Sequence, residues 1–212
     1  MKRSVNGLIG VILVLISNVS FAGFIEATFD NGNEGFRLSG DATTSFAQFS
    51  SSGFIFAVDR ALGGNQFFEA PAQFLGDLSG AFNQTLSFDL NFTGSGAILA
   101  SAANIFTIFS GTDSIQFVDN FPSRGVFRTY EAVLNESQGF RSSEGGLATD
   151  AFIQQVLSDV TRIRIRAEFI NGVDTVRLDN FRIGVVPEPN GLLVMGLVLF
   201  AIARFARRSK KS

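Results

Sequence analysis

The stretch Thr85-Leu86-Ser87-Phe88-Asp89-Leu90-Asn91-Phe92 alternates strictly between apolar and polar residues. In an extended chain Leu86, Phe88, Leu90 and Phe92 point one way, and Ser87, Asp89 and Asn91 point to solvent. The same period of two recurs in Arg162-Ile163-Arg164-Ile165-Arg166-Ala167-Glu168-Phe169, with a row of charges outside. Shorter candidate strands are Phe54 to Val58, Ile105 to Phe109, Ile115 to Val118, Val126 to Val133 and Val176 to Ile183, with Gly, Ser and Asn at the breaks. Many short two-faced strands predict an all-β sandwich.

One segment departs from this period. Thr149-Asp150 followed by Phe152, Ile153, Val156 and Leu157 has an N-cap and helical spacing, which predicts one short helix. No repeat of solenoid or propeller length is present. Gly94-Ser95-Gly96 and Ser142-Ser143-Glu144-Gly145-Gly146 read as loops within one domain rather than linkers between domains.

Composition narrows the chemistry. The 212 residues include 25 Phe and 22 Gly but no Cys, His or Trp. Imidazole bases, His metal ligands, Ser-His-Asp and Cys-His hydrolase schemes and disulfides are therefore excluded. Setting aside the charged residues of the two ends (Lys2, Arg3, Glu188, Arg204, Arg207, Arg208, Lys210 and Lys211) leaves 10 basic and 18 acidic residues, a net charge of about −8. Such a body is a poor partner for nucleic acid and a reasonable one for divalent cations.

The ends read as address labels. Lys2 and Arg3, the apolar run Leu8 to Val19 and the small-x-small tripeptide Ser20-Phe21-Ala22 predict a signal peptide over residues 1–22, cleaved after Ala22. The domain follows over 23–185. Residues 186–212 carry Pro187-Glu188-Pro189, an apolar membrane segment at 191–203 and a basic end at 204–212. Basic residues behind an apolar segment favour a transmembrane helix with the cluster in the cytoplasm. This three-part tail resembles the PEP-CTERM sorting signal of Gram-negative bacteria. The resemblance implies processing by an exosortase near Pro187-Glu188-Pro189, transient residence in the inner membrane, and delivery to the envelope surface or exopolysaccharide matrix.

The body carries a second resemblance. Phe68-Glu69-Ala70-Pro71-Ala72-Gln73-Phe74-Leu75-Gly76-Asp77, followed by Leu86-Ser87-Phe88-Asp89-Leu90, is similar to the corresponding block of the laminin B domain, also called laminin IV type A. Phe127-Arg128-Thr129-Tyr130, Leu157 to Glu168 and Asp174 to Ile183, with Leu178-Asp179-Asn180, match further blocks, so the likeness runs from about Phe29 to Ile183. It implies a jelly-roll-like β-sandwich, similar to galactose-binding and carbohydrate-binding modules, with a structural or adhesive role and no enzyme activity. A shared fold does not by itself transfer a function.

Asp30-Asn31-Gly32-Asn33-Glu34-Gly35 beside Asp179-Asn180 is rich in oxygen donors. Calcium takes six to eight oxygens, and Asp30, Glu34 and Asp179 are candidate ligands for a structural calcium. The same loop also reads as a turn whose Asn and Gly serve backbone freedom. Arg162, Arg164 and Arg166 form either a grip for an anionic polysaccharide or a solvated face balanced by cross-strand acids; the net charge favours the second. Phe on alternating positions reads as core rather than as a sugar-stacking platform. No nucleophile elbow, phosphate loop or dinucleotide fingerprint occurs, and Glu131 and Glu168 fall on separate strands without carboxylate partners, so no catalytic residue is assigned. The function expected is that of a non-enzymatic surface or matrix protein, with a carbohydrate-binding module for exopolysaccharide as the alternative and a polysaccharide-acting enzyme as the less favoured third reading. Exosortase, the membrane, exopolysaccharide and other surface proteins are the expected partners.

Overall fold

The computed structural model describes residues 23–60, 65–100 and 102–186. The signal segment with Ala22, and the tail with Pro187, Glu188 and Pro189, lie outside the described residues. Among the described residues no helix is long and apolar enough to cross a membrane.

In chain order the described strands are β1 (Gly23–Ala27), β2 (Arg37–Gly40), β3 (Gln48–Ser50), β4 (Phe54–Asp59), β5 (Gln66–Glu69), β6 (Thr85–Gly94) and β7 (Ala97–Ile98), then β8 (Ala102–Ser110), β9 (Asp113–Asn120), β10 (Arg128–Val133), β11 (Arg141–Ser142), β12 (Arg162–Arg166), β13 (Ile170–Asn171) and β14 (Asp174–Val185). The first sheet has the order β10-β6-β14-β4-β3, with β1 also paired to β14. The second runs β11-β9-β8-β12-β5-β2, and β13 and β7 form a short separate ribbon. β14 is the spine of the first sheet: β6 lies along one edge, and β4 and then β1 share the other.

The period-two reading is borne out on the inner faces. Leu86, Phe88, Leu90 and Phe92 of β6 are buried, as are Phe106, Ile108, Ile163 and Ile165 of the second sheet. Phe88 meets Phe106 edge-on at 5.8 Å. Beneath the turn after β1, Phe29, Phe36, Phe74 and Phe181 form a cluster of edge-to-face rings, with Phe74 and Phe181 4.8 Å apart. Each such pair adds about 0.5–1.5 kcal/mol beyond the burial itself. This packing has to hold a chain that has no disulfide.

The expected helix is α1 (Asp150–Leu157), capped by the Thr149 hydroxyl, which accepts from the Phe152 N–H at 3.3 Å. Its Ile153, Val156 and Leu157 face the core.

Three expectations are corrected. Ser87 and Asn91 do lie on the outer side of β6, yet both are buried. Arg182 reaches from β14 to donate to Ser87 Oγ at 2.8 Å, and Arg177 donates to Asn91 Oδ1 at 2.9 Å, so long side chains on the neighbouring strand roof over short ones. The strand expected from Val126 starts at Arg128, because Val126 closes a turn by donating to the Ser123 carbonyl. The alternation after Arg162 ends at Arg166, and Glu168 is fully buried instead of continuing the outer row of charges.

Candidate functional site: the outer face of the first sheet

The outer face of the first sheet is broken in the middle of β14. Asp179 pairs with Asp89 and Arg182 with Ser87, so β14 carries one residue more than β6 across this step. The extra residue is accommodated at Asn180, whose φ of 51° is left-handed, a conformation that Asn adopts more readily than most residues. Such bulges re-aim side chains and recur beside binding sites. Here the Asn180 amide donates to Asp89 Oδ2 at 2.7 Å while the Thr129 hydroxyl donates to Asp89 Oδ1 at 2.5 Å.

A cleft of about 240 Å³ opens at this step, between β1, β6, β10 and β14. Its polar lining includes Glu26, Asp89, Thr129, Asn180 and Arg182, and Phe181 belongs to its floor. Both signs of charge and both donors and acceptors are therefore presented to one small volume. Arg182 also stacks over the ring of Phe24, which is 62% exposed, at 5.7 Å.

Further along the same face stands a strip of phenylalanines. Phe54 lies 6.4 Å from Phe56 and 6.3 Å from Phe127, and Arg177 stacks over Phe54 at 5.6 Å. Phe54 and Phe56 are half-buried and Phe127 is exposed. These rings are a site feature that reading the alternation as core did not anticipate. The signal was present: Phe54-Ile55-Phe56-Ala57-Val58 is apolar on both faces, although only Ile55 and Ala57 enter the core.

The predicted calcium ligands are only partly brought together. Asp30 and Asp179 are within electrostatic reach, joined by Asp89. Burial, opposed by the Asn180 N–H and reinforced by the charges of Asp89 and Asp30, pushes the Asp179 carboxyl above its usual range. Glu34 is turned to another task, since its Oε1 accepts from the Phe29 backbone N–H at 2.6 Å. Asn33 Oδ1 accepts from the Gly35 N–H and Asn33 Nδ2 donates to the Ala47 carbonyl, so this segment is also a well-bonded turn. Among the described residues no three acidic side chains converge to hold a metal ion.

On the second sheet, Arg164 Nε donates to Glu69 Oε1 at 2.9 Å, the cross-strand acid expected for that row. Arg162 and Arg166 stack instead, over Phe109 at 4.2 Å and Phe121 at 5.5 Å. Glu131 lies on the outer face of β10 opposite Ser87, whereas Glu168 is interior, so the two carboxylates do not share a cleft.

Fold and face together define a jelly-roll-like β-sandwich with, among the described residues, one α-helix and a polar cleft on one sheet face. The chain belongs to the Laminin B (Domain IV) family, whose model matches residues 67–192, from β5 through β14 and beyond. Among solved structures, the L4b domain of human laminin alpha-2 aligns at 17% identity with a TM-score of 0.52, covering 63% of this chain and 80% of that one. An exo-beta-agarase aligns at 14% identity and a TM-score of 0.50, covering 77% of this chain but 25% of the enzyme. A family 11 carbohydrate-binding module of Clostridium thermocellum aligns at 13% identity and a TM-score of 0.40, covering 82% and 94%. At these identities the likeness is one of fold. Comparison with curated protein sequences returns no match.

Proposed function

We propose that this chain is a non-enzymatic, exported surface or matrix protein, acting in envelope structure or adhesion, whose sandwich binds matrix polysaccharide on the outer face of the first sheet. One observation carries the reading. The cleft at the β14 bulge and the Phe54, Phe56 and Phe127 strip lie on the same sheet face, and together offer what a sugar needs: paired donors and acceptors for hydroxyls and apolar rings for the flat faces of pyranoses. Phenylalanine here takes the place of the Trp that the chain lacks. Asp30 and Asp179, at the two ends of the domain, are the candidate ligands for a calcium ion that would pin the turn after β1 to the closing strand.

The tail supplies the address. Pro187-Glu188-Pro189, the apolar segment at 191–203 and the basic end support exosortase sorting from the inner membrane to the envelope or matrix of a Gram-negative cell. Removing Pro187 to Pro189 leaves the protein in the inner-membrane fraction under this reading; unchanged surface delivery would refute it.

Glycan arrays and pull-down with purified matrix polysaccharide test the binding claim on the full chain. Saturable binding to a defined glycan, weakened at least about tenfold in both Asp89→Ala and Phe127→Ala, supports it. Absence of binding to any glycan, with the protein still retained at the cell surface, leaves the purely structural role.

A further inference from the structure

Away from the outer face, four carboxylates lie close together in the interior. Asp174 opens β14 opposite Asp59 at the end of β4. Glu168 follows β12 and is electrostatically coupled to Asp59 and Asp41, and Asp174 is coupled to Asp59 and Glu168. Asp59, Glu168 and Asp174 are each at most 1% exposed. Asp41 follows β2, where Gly40 makes a close approach that no other residue could make. At φ +87° its missing Cβ would stand 1.6 Å from the Asn65 carbonyl oxygen. That approach lets the Asp41 N–H donate to Asn65, and sets Asp41 beside Gln66.

Several oxygens of Asp41, Glu168, Asp174 and Gln66 lack hydrogen-bond donors. Both carboxylate oxygens of Glu168, both of Asp41, Oδ1 of Asp174 and Oε1 of Gln66 are buried without a hydrogen-bond partner among the described residues. The Gln66 N–H approaches Glu168 without closing a bond, and Asp174 Oδ2 accepts from the Phe169 N–H at 3.1 Å. Arg166 donates to the Glu168 carbonyl and opposes part of the charge. Burial, then the charge of Asp59, raises the Glu168 carboxyl above its usual range and the Asp174 carboxyl to about 7. Interior carboxylate oxygens left without a hydrogen-bond donor, as those of Glu168 and Oδ1 of Asp174 are, are costly to keep ionised.

We infer that Asp41, Asp59, Glu168 and Asp174, with the Gln66 side-chain oxygen, form a buried binding site for a hard divalent cation, calcium first, that ties β2, β4, β5, β12 and β14 together. The donor set is all oxygen, with more carboxylates than a magnesium ion commonly takes and no sulfur or imidazole to favour zinc. Among the described residues the carboxylates are not already drawn to ligand distance of one point. A cation would pull them inward through side-chain rotation while the strands hold their backbones. This site is distinct from the Asp30 and Asp179 corner and from the glycan face, and does not depend on either.

Thermal unfolding of the full chain in excess calcium and in chelator provides the test. With the site in place, calcium at about a hundredfold excess over its Kd raises Tm by about 5–10 °C. The isosteric variant Glu168→Gln removes one buried charge, so it folds in chelator with an unchanged or higher Tm, but loses most of the calcium increment. Asp179→Asn retains that increment, which separates this site from the exposed corner. Isothermal titration with calcium chloride gives a binding event in the wild type that is missing in Glu168→Gln and kept in Asp179→Asn. No calcium, magnesium or manganese increment in the wild type would overturn the proposal. So would an increment that survives Glu168→Gln and disappears in Asp179→Asn.

Discussion

Two groups of aspartates in this domain have opposite surroundings. Asp89, on the outer face of β6, has both oxygens bonded, to Thr129 and Asn180, and looks onto an open cleft. Asp174, on the inner side of the first residue of β14, has one bonded oxygen and one bare one, with Asp59 and Glu168 for company and no exposure. The first carboxylate is a finished hydrogen-bonding unit that can present its surroundings to a ligand. The second lacks a counter-charge and calls for a cation or a proton. Burial and neighbours, rather than residue type, decide which role a carboxylate takes.

The strongest perturbation of this contrast is Phe181→Ala. Phe181 belongs to the cleft floor and packs against Phe36, Phe74 and Phe88, so its loss should cost about 3–5 kcal/mol in chemical denaturation and abolish glycan binding. Calcium should still raise the melting temperature of whatever fraction folds, because the acidic group lies elsewhere in the fold. Next comes Glu168→Gln in chelator, with an expected gain of about 1–2 kcal/mol from removing an unpaired interior charge. A comparable loss would mean the carboxylate is already satisfied, and the contrast between the two regions would collapse. Asp89→Asn should cost about 1 kcal/mol, since the new amide nitrogen cannot accept from its present donor.

A carboxylate in neither region calibrates the comparison. Burial works against the ionisation of Glu69, and the Arg164 hydrogen bond and charge outweigh it and hold the carboxyl below its usual range. A depressed acid stabilises the fold at neutral pH and loses that contribution as pH falls through its folded-state value. The stability difference between wild type and Glu69→Gln should therefore shrink on acidification. As the pair is part-exposed, the whole effect should stay under about 1 kcal/mol, measured by denaturant titration at several pH values.

How much of this was legible in the sequence depends on range. The alternation of Leu86, Phe88, Leu90 and Phe92, and the Thr149 cap with Ile153, Val156 and Leu157, are local patterns, and the structure follows them. The burial of Ser87 and Asn91 was not legible, because it depends on which strand lies alongside β6 and how far Arg177 and Arg182 can reach. Glu168 read as one more outer charge, since nothing in Arg166-Ala167-Glu168 announces that the strand stops there and the chain turns inward. Asp30 lies within electrostatic reach of Asp179, whereas Glu34 is claimed by the Phe29 N–H, a competition between ligand and backbone that spacing does not reveal.

The sequence by itself determined the two-faced strands, the Asp150–Leu157 helix and the laminin B membership, because these follow from periodicity and from blocks of neighbouring residues. Only the tertiary structure decided that Asp41, Asp59, Glu168 and Asp174 would meet. Asp41 and Asp59 precede Glu168 and Asp174 by more than a hundred residues in the chain, and it is the antiparallel register of β14 with β4, and of β2 and β12 with β5, that brings the two pairs together. Register is a property of pairs of strands, set by the packing of whole sheet faces, and no single segment contains it.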